Sequence, residues 1–168
     1  MKSKFLVAQP WIGLIARLVL GGVLFVAGYL KVDKTDISQM AVRSYEMLPV
    51  PVANMFGLFL PFFEVAVGAL LILGALTRFV AILGGVTMFA FIIAIAQAWA
   101  RGLNIDCGCF GGGGSVAPED TRYLQEILRD IGLVFLALYL IRYPVTKFAI
   151  DKNPTPSGAE TGARGDVE

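Results

Sequence analysis

Three stretches of this chain, residues 11–30, 57–76 and 79–99, are almost free of charge, and they constrain the fold more than any other feature. The hydrocarbon core of a bilayer, roughly 30 Å thick, is crossed by about 20 helical residues. Arg17 and Glu64 are the only charged residues in the three stretches. Each stretch is therefore predicted to be a transmembrane helix.

A fourth stretch, residues 123–143, reaches this length only by including Glu126, Arg129 and Asp130. A short buried helix of a soluble protein is the alternative, but this stretch stands beside three clear spans. We therefore predict an all-α fold, a polytopic membrane protein whose four transmembrane helices form a bundle within residues 1–150.

The two ends of the chain are interpreted differently. The first apolar run is longer than the roughly 7–15 residues of a signal-peptide core, so it is predicted to be a retained helix. Residues 151–168 are rich in Pro, Gly, Ser and charged residues, cannot bury enough apolar surface to fold, and are predicted to be a disordered tail. The Arg164-Gly165-Asp166 triplet in this tail is interpreted as a chance match to an adhesion motif.

The composition argues against several functions. The net charge of +1 provides no field that would attract nucleic acid, so no nucleic-acid partner is expected. The 168 residues include no histidine, the commonest general base and a frequent metal ligand. Residues 31–55, between the first two spans, are too polar to cross the membrane, and a short amphipathic segment at the interface is predicted there.

Basic residues outside the spans decide the orientation, because cytoplasmic loops carry more Lys and Arg. With the N-terminus inside, the cytoplasmic side has Lys2, Lys4, Arg78, Arg142, Lys147 and Lys152, and the outer side has Lys31, Lys34, Arg43, Arg101 and Arg122. This small bias predicts a multi-pass protein of the cytoplasmic (inner) membrane with both termini in the cytoplasm. The loop between the third and fourth spans then lies on the outer face.

Four charged residues within the spans, Arg17, Glu64, Arg129 and Asp130, are costly in lipid and are expected to be paired or functional. At about 1.5 Å per residue, the last three lie at one depth, and Arg17 lies nearer the other side. We therefore predict that Glu64 pairs with Arg129 across a helix interface. The alternative is that these charges have only a structural role.

Small residues share helical stripes with two of these charges. One stripe consists of Arg17, Gly21, Leu24, Gly28 and Lys31, and the other of Glu64, Gly68, Leu71 and Ala75. Membrane helix bundles prefer small residues at their interfaces. Close helix contact is therefore predicted along both stripes.

The only two cysteines stand two residues apart, in the loop Asp106-Cys107-Gly108-Cys109-Phe110, which continues into four glycines. A zinc site needs four ligands, which this chain alone does not supply, although a metal site shared with a partner stays open. A disulfide that closes so small a ring would remove little chain entropy and makes a poor staple. Lipid attachment to a cysteine, or a loop without any chemistry, also stays open.

Redox exchange is the favoured interpretation, with Cys107 and Cys109 as the catalytic residues. Gly108 permits the turn that a disulfide between them requires. Such a bond is expected to be strained, exposed and easily exchanged with thiols of a partner, in a loop that the following glycines leave mobile. Asp106 opposes this chemistry, because a neighbouring negative charge raises the pKa of a thiol.

Three segments together resemble a known family. Residues 16–31 resemble the first helix of the DoxX-like membrane proteins, and residues 63–78 resemble their second signature. The Asp106-Cys107-Gly108-Cys109-Phe110-Gly111 loop, with Arg129-Asp130 on the fourth helix, is similar to the methylamine-utilisation branch, MauE. The resemblance covers most of residues 11–143. It implies a four-helix membrane protein associated with thiol redox or electron transfer, since MauE is linked to maturation of a disulfide-rich partner subunit.

Two functions fit these observations. The first is a thiol–disulfide oxidoreductase component that exchanges electrons with a secreted or membrane-anchored thioredoxin-like protein. The second is a non-catalytic accessory subunit of a larger membrane complex, such as a respiratory one. No covalently bound cofactor is expected. A quinone is possible, but no motif supports one, and the chain lacks the second cysteine pair that four-helix disulfide-generating proteins contain.

Overall fold

The computed structural model describes residues 2–150, with side chains from Gln9 onward. Five α-helices account for most of this part of the chain: α1 (Lys2–Val32), α2 (Thr35–Ser44), α3 (Val50–Leu73), α4 (Thr77–Ala100) and α5 (Tyr123–Arg142). Between α4 and α5, strands β1 (Ile105–Asp106) and β2 (Gly114–Ser115) form a small antiparallel ribbon, and a 3-10 turn follows at Pro118–Asp120. The predicted tail 151–168, its Arg164-Gly165-Asp166 triplet and the side chains of Lys2 and Lys4 lie outside the described residues.

Three of the helices are long and apolar enough to cross a membrane: α1 over Gln9–Val32, and α3 and α4 over their whole lengths. The chain is therefore a mostly helical, multi-pass membrane protein. Helix α3 begins at Val50, about two turns before the predicted start at residue 57. Pro51 stands in the first turn of α3, where a missing backbone N–H and a fixed φ angle favour helix initiation.

The four long helices pack side by side around a leucine-rich core. Helix α1 contacts α3 and α5, and α4 contacts α5 and α3. Each helix contributes fully buried apolar side chains to one cluster, which includes Leu20, Leu24, Leu71, Val80 and Leu140. The short helix α2 lies against α3 and buries Ser38 and Ala41.

The close helix contact predicted along both small-residue stripes is confirmed, and the stripes lie against each other. A β-carbon on Gly68 would lie 2.5 Å from the backbone nitrogen of Phe25, and one on Gly28 would lie 2.6 Å from the carbonyl oxygen of Pro61. These distances leave no room for a side chain, so the backbones of α1 and α3 meet directly. This approach brings the buried polar groups of the two helices within reach of each other.

Gly21 and Gly22 are adjacent in α1 and give a matched test of this contact. A β-carbon on Gly21 would lie 2.9 Å from the Leu71 β-carbon, whereas one on Gly22 would meet no atom within 4 Å. We expect Gly21→Ala to lower the free energy of unfolding by about 1–3 kcal/mol through overpacking. Gly22→Ala should be neutral or raise it by up to about 1 kcal/mol, because alanine is the better helix former. Denaturant titration of both variants in the same detergent measures the difference, and equal effects would contradict the contact.

Candidate functional site

The two cysteines lie on a tight turn at the end of the small ribbon. Strand pairing places Asp106 opposite Gly114, and the Asp106 carboxylate accepts a hydrogen bond of 2.8 Å from the backbone N–H of Gly108. Gly108 has φ +70°, a left-handed conformation that glycine adopts without strain. Asp106 therefore fixes the turn that brings Cys107 and Cys109 together.

The prediction of an exposed cysteine pair is wrong for Cys109, whereas Cys107 is partly exposed. Cys109 is only 6% exposed, and β-carbons on Gly108 or Gly113 would each lie 2.6 Å from the Ala41 side chain of α2. The positive φ angles of these glycines serve close packing of the loop on α2, since a residue with a side chain could not approach so near. A disulfide formed here would be shielded on the side of Cys109.

Both cysteines are free thiols, and they contact each other. The backbone N–H of Cys109 donates to the Cys107 sulfur at 3.3 Å, so the Cys107 side chain curls back over its neighbour. The hydrogen bond to the Cys109 side chain raises the pKa of the Cys107 thiol, and burial raises it further. The close contact with Cys109 therefore disfavours ionisation of Cys107.

Helix α5 brings a cation to the buried thiol. The Arg129 side chain interacts with that of Cys109 and forms an ion pair of 2.8 Å with Asp130. The Phe110 ring lies against the guanidinium group, with its centroid 5.0 Å from the Arg129 Cζ atom. The guanidinium group therefore places a positive charge beside the Cys109 side chain.

On the outer side of the turn, Cys107 lines an open pocket of about 440 Å³. Asp106, Asp120, Arg122 and Glu126 line the same pocket, so its walls are charged. Cys107 is partly exposed and Cys109 is buried, so the pocket gives access to one sulfur of the pair.

On the inner side of the turn lies a small, partly open cavity of about 40 Å³. Both cysteines line it, together with Ser38 of α2, Tyr45 and Lys31 of α1. A site of this size has room for two or three water molecules, since one needs at least about 10–15 Å³. The thiol pair thus shares a small, mostly apolar cavity with a lysine.

The predicted ion pair between Glu64 and Arg129 is wrong. Glu64 pairs with Lys31, whose Nζ atom lies 2.5 Å from Oε2, and Arg129 pairs with its neighbour Asp130. Both members of the Lys31–Glu64 pair are almost fully buried. The prediction failed because it ended the first span at Leu30, whereas α1 continues to Val32, and because α3 starts earlier than expected.

Arg17, the fourth predicted intramembrane charge, lies away from the cysteines. Its guanidinium group donates to the Thr146 hydroxyl at 2.9 Å and to the carbonyl oxygens of Lys147 and Phe148 at 3.4 and 3.3 Å. A β-carbon on Gly74 would overlap this group, so the glycine that ends α3 also makes room for it. Arg17 therefore fastens the segment after α5 to the far end of the helices.

Sequence reasoning missed two tyrosines that anchor the site. The Tyr45 hydroxyl donates a hydrogen bond of 3.0 Å to the Cys107 carbonyl oxygen, and burial raises the pKa of this phenol. The Tyr123 hydroxyl donates to the Leu103 carbonyl oxygen and accepts 2.9 Å from the Ile105 backbone N–H. Neither tyrosine belongs to a pattern in the sequence, whereas Lys31 was on a predicted stripe and could have been paired with Glu64.

A wide apolar groove of about 520 Å³ opens between α3 and α4 next to the small cavity. Its walls are mostly phenylalanine, leucine, valine and alanine side chains. Its two hydroxyl groups are already engaged, because Thr87 donates to the Leu83 carbonyl oxygen and Tyr45 to that of Cys107. Within residues 2–150, the structure contains no cluster of three or more His, Cys, Asp or Glu residues that could hold a metal ion.

The family model described as "Methylamine utilisation protein MauE" matches residues 9–143, which include most of α1, the other three long helices and the cysteine loop. No curated protein and no solved structure matches the sequence or fold. The resemblance to DoxX-like proteins stays a prediction.

Proposed function

The chain belongs to the MauE family, and from that premise we propose that it is the membrane component of a thiol–disulfide exchange carried by Cys107 and Cys109. Membership of this family implies a membrane protein of methylamine utilisation. The observation that carries the proposal is the asymmetry of the pair. One sulfur faces an open pocket, and the other is buried beside a guanidinium group.

The exchange runs in two steps that conserve atoms and electrons. When this chain holds the disulfide, a partner thiolate attacks the Cys107 sulfur, a partner–Cys107 bond forms, and Cys109 leaves as a thiolate. The second thiolate of the partner then attacks its own sulfur in that bond and releases Cys107. The partner loses two electrons and this chain gains them. The reverse sequence oxidises this chain.

Burial and charge assign the two roles. Cys107 lines the open pocket and is the sulfur that a partner can reach. Cys109 is the leaving group, and in the reverse direction the resolving thiolate. Arg129 supports this role because a stabilised thiolate leaves faster.

The partner that we propose is a secreted or membrane-anchored protein of thioredoxin-like chemistry. It docks on the outer face of the cytoplasmic membrane, with both termini of this chain in the cytoplasm. This topology requires α5 to cross the membrane as a fourth span. In support, α5 exposes Leu124, Leu128, Phe135 and Leu138, an outward surface suited to lipid.

A quinone is not part of the proposal. Its carbonyl oxygens would require hydrogen-bond donors, as in other small-molecule sites, which place a few polar groups among apolar walls. The Thr87 and Tyr45 hydroxyl groups in the apolar groove already donate to backbone carbonyls.

The proposal is tested with the purified, reduced full chain in detergent under anaerobic conditions. A symmetrical aromatic disulfide is added, and its coloured thiolate is released in proportion to the thiols that react. We expect two aryl thiolates per chain and a product whose mass shows an intrachain disulfide. Release of one or none, or a stable aryl adduct on the wild-type chain, would contradict the proposal. That outcome would favour the accessory-subunit function, for which the firm packing of the loop on α2 is the supporting observation.

A further inference from the structure

The Lys31–Glu64 ion pair buries two charged groups, and removing them from water costs free energy. The Lys31 and Glu64 side chains are 4% and 0% exposed, and the second oxygen of Glu64, Oε1, has no hydrogen-bond partner among the described residues. Replacing a buried ion pair with apolar residues is often neutral or stabilising, so the pair is weak evidence for a purely structural role. Its position suggests another role.

Lys31 reaches from the ion pair into the cavity beneath the cysteines. Its side chain lines that cavity with Cys107 and Cys109, and its ammonium nitrogen lies 6.0 Å from the centroid of Phe91, another lining residue. An ammonium group has three donors, and Glu64 accounts for one direction. Two donors remain, and the cavity that Lys31 lines with both cysteines has a volume of only about 40 Å³.

Charged and titratable groups approach Cys109 from every side. They are Lys31 of α1, Tyr45 after α2, Glu64 of α3 through Lys31, Asp106 and Cys107 of the loop itself, and Glu126, Arg129 and Asp130 of α5. Arg129 is largely neutralised by Asp130, and Lys31 by Glu64. The two cations thus belong to different helices, α1 and α5, and each is restrained by its own carboxylate.

We propose that Lys31 is a positioning residue for the exchange reaction: across the cavity, its ammonium group stabilises the Cys109 thiolate, and Glu64 holds the ammonium group in place and moderates its charge. When the disulfide opens, negative charge develops on the Cys109 sulfur in a buried space, where a cation has a larger effect than in water. The inference rests on the proposed function for its purpose, but its electrostatic content is measured separately.

The test uses the full chain with Cys107→Ser, which leaves Cys109 as the only thiol. Alkylation of this thiol by iodoacetamide requires the thiolate, so the rate followed by mass spectrometry against pH has a midpoint that reports ionisation of Cys109. Lys31→Met should move this midpoint to higher pH, and a move of one unit lowers the rate at neutral pH about tenfold. Glu64→Gln should move it to lower pH, because the ammonium group is no longer neutralised.

The opposite directions of the two midpoint shifts distinguish an electrostatic role of Lys31 from a structural one. A variant that only loosens the packing changes the limiting rate at high pH and leaves the midpoint in place. The double variant Lys31→Met/Glu64→Gln removes the cation without leaving a buried carboxylate. It should therefore show the shift of the midpoint to higher pH even if Lys31→Met alone does not fold. Arg129→Gln removes the cation in contact with Cys109, and its midpoint shift is the reference with which the shift of Lys31→Met is compared.

Two results would overturn the inference: midpoints that do not move in the single and double variants, or a shift of the same sign for Lys31→Met and Glu64→Gln. The assay contains no disulfide, so its outcome is independent of the aromatic disulfide experiment. An unmoved midpoint with normal aryl thiolate release would reject the role of Lys31 and keep the exchange function. Shifted midpoints without disulfide formation would keep the role of Lys31 and reject the exchange function.

Discussion

Replacing Lys31 with methionine is expected to lower the free energy of unfolding by about 3–5 kcal/mol, because it leaves the Glu64 carboxylate buried without its cation. Both side chains are almost fully excluded from the surroundings, so neither water nor salt can compensate the loss. Adding Glu64→Leu to Lys31→Met should recover most of the stability, since an apolar pair of similar volume removes the uncompensated charge. Denaturant titration in detergent, with folding followed by circular dichroism, measures both steps.

The matched control is Lys34→Met, at an exposed lysine three positions further along the chain. Surface charges contribute little to stability, so this variant should stay within about 0.5 kcal/mol of the wild type. If Lys31→Met lowered the free energy of unfolding as little as Lys34→Met, the ion pair would not have the energetic role assigned to it. A double variant no more stable than the single one would show that the lysine acts through packing.

Much of the helical architecture could be predicted, because it depends on apolar length and periodicity. The three apolar runs correspond to three helices, and the small-residue stripes correctly predicted close helix contact, which α1 and α3 make with each other. The partner of Glu64 could not be predicted from depth alone. A helix end misplaced by one or two residues moves Lys31 from an exposed loop to a buried interface, and sequence patterns do not locate helix ends that finely.

The cysteine loop shows a different limit of sequence reasoning. A run of four glycines fits both a mobile loop and a backbone packed too closely for side chains. The choice depends on Ala41, which belongs to another helix and lies about 70 residues away in the chain. No local pattern contains that information. The redox interpretation of Cys107 and Cys109 needed only their spacing, whereas their unequal exposure needed the fold.

This inequality leads to the second large effect, which concerns trapping of the physiological partner. In Cys109→Ser, a partner joined to Cys107 cannot be displaced by the neighbouring thiolate. Loss of an intramolecular nucleophile slows resolution by orders of magnitude. We expect a mixed disulfide to accumulate in cells quenched with acid and alkylated, visible as a larger species on a non-reducing gel that disappears with reductant.

Cys107→Ser is the matched control, because it keeps one thiol in the same loop but leaves only the buried one. Cys109 is shielded by α2 on one side and does not line the outer pocket, so this variant should give little or no adduct. Equal adducts from the two variants would contradict the assigned roles. If neither variant forms an adduct, and the same proteins co-purify with the wild type and both variants in the presence of reductant, the loop is a contact surface of a larger complex. The difference in access between Cys107, which lines the outer pocket, and the buried Cys109 therefore separates a chemical role of the loop from a purely structural one.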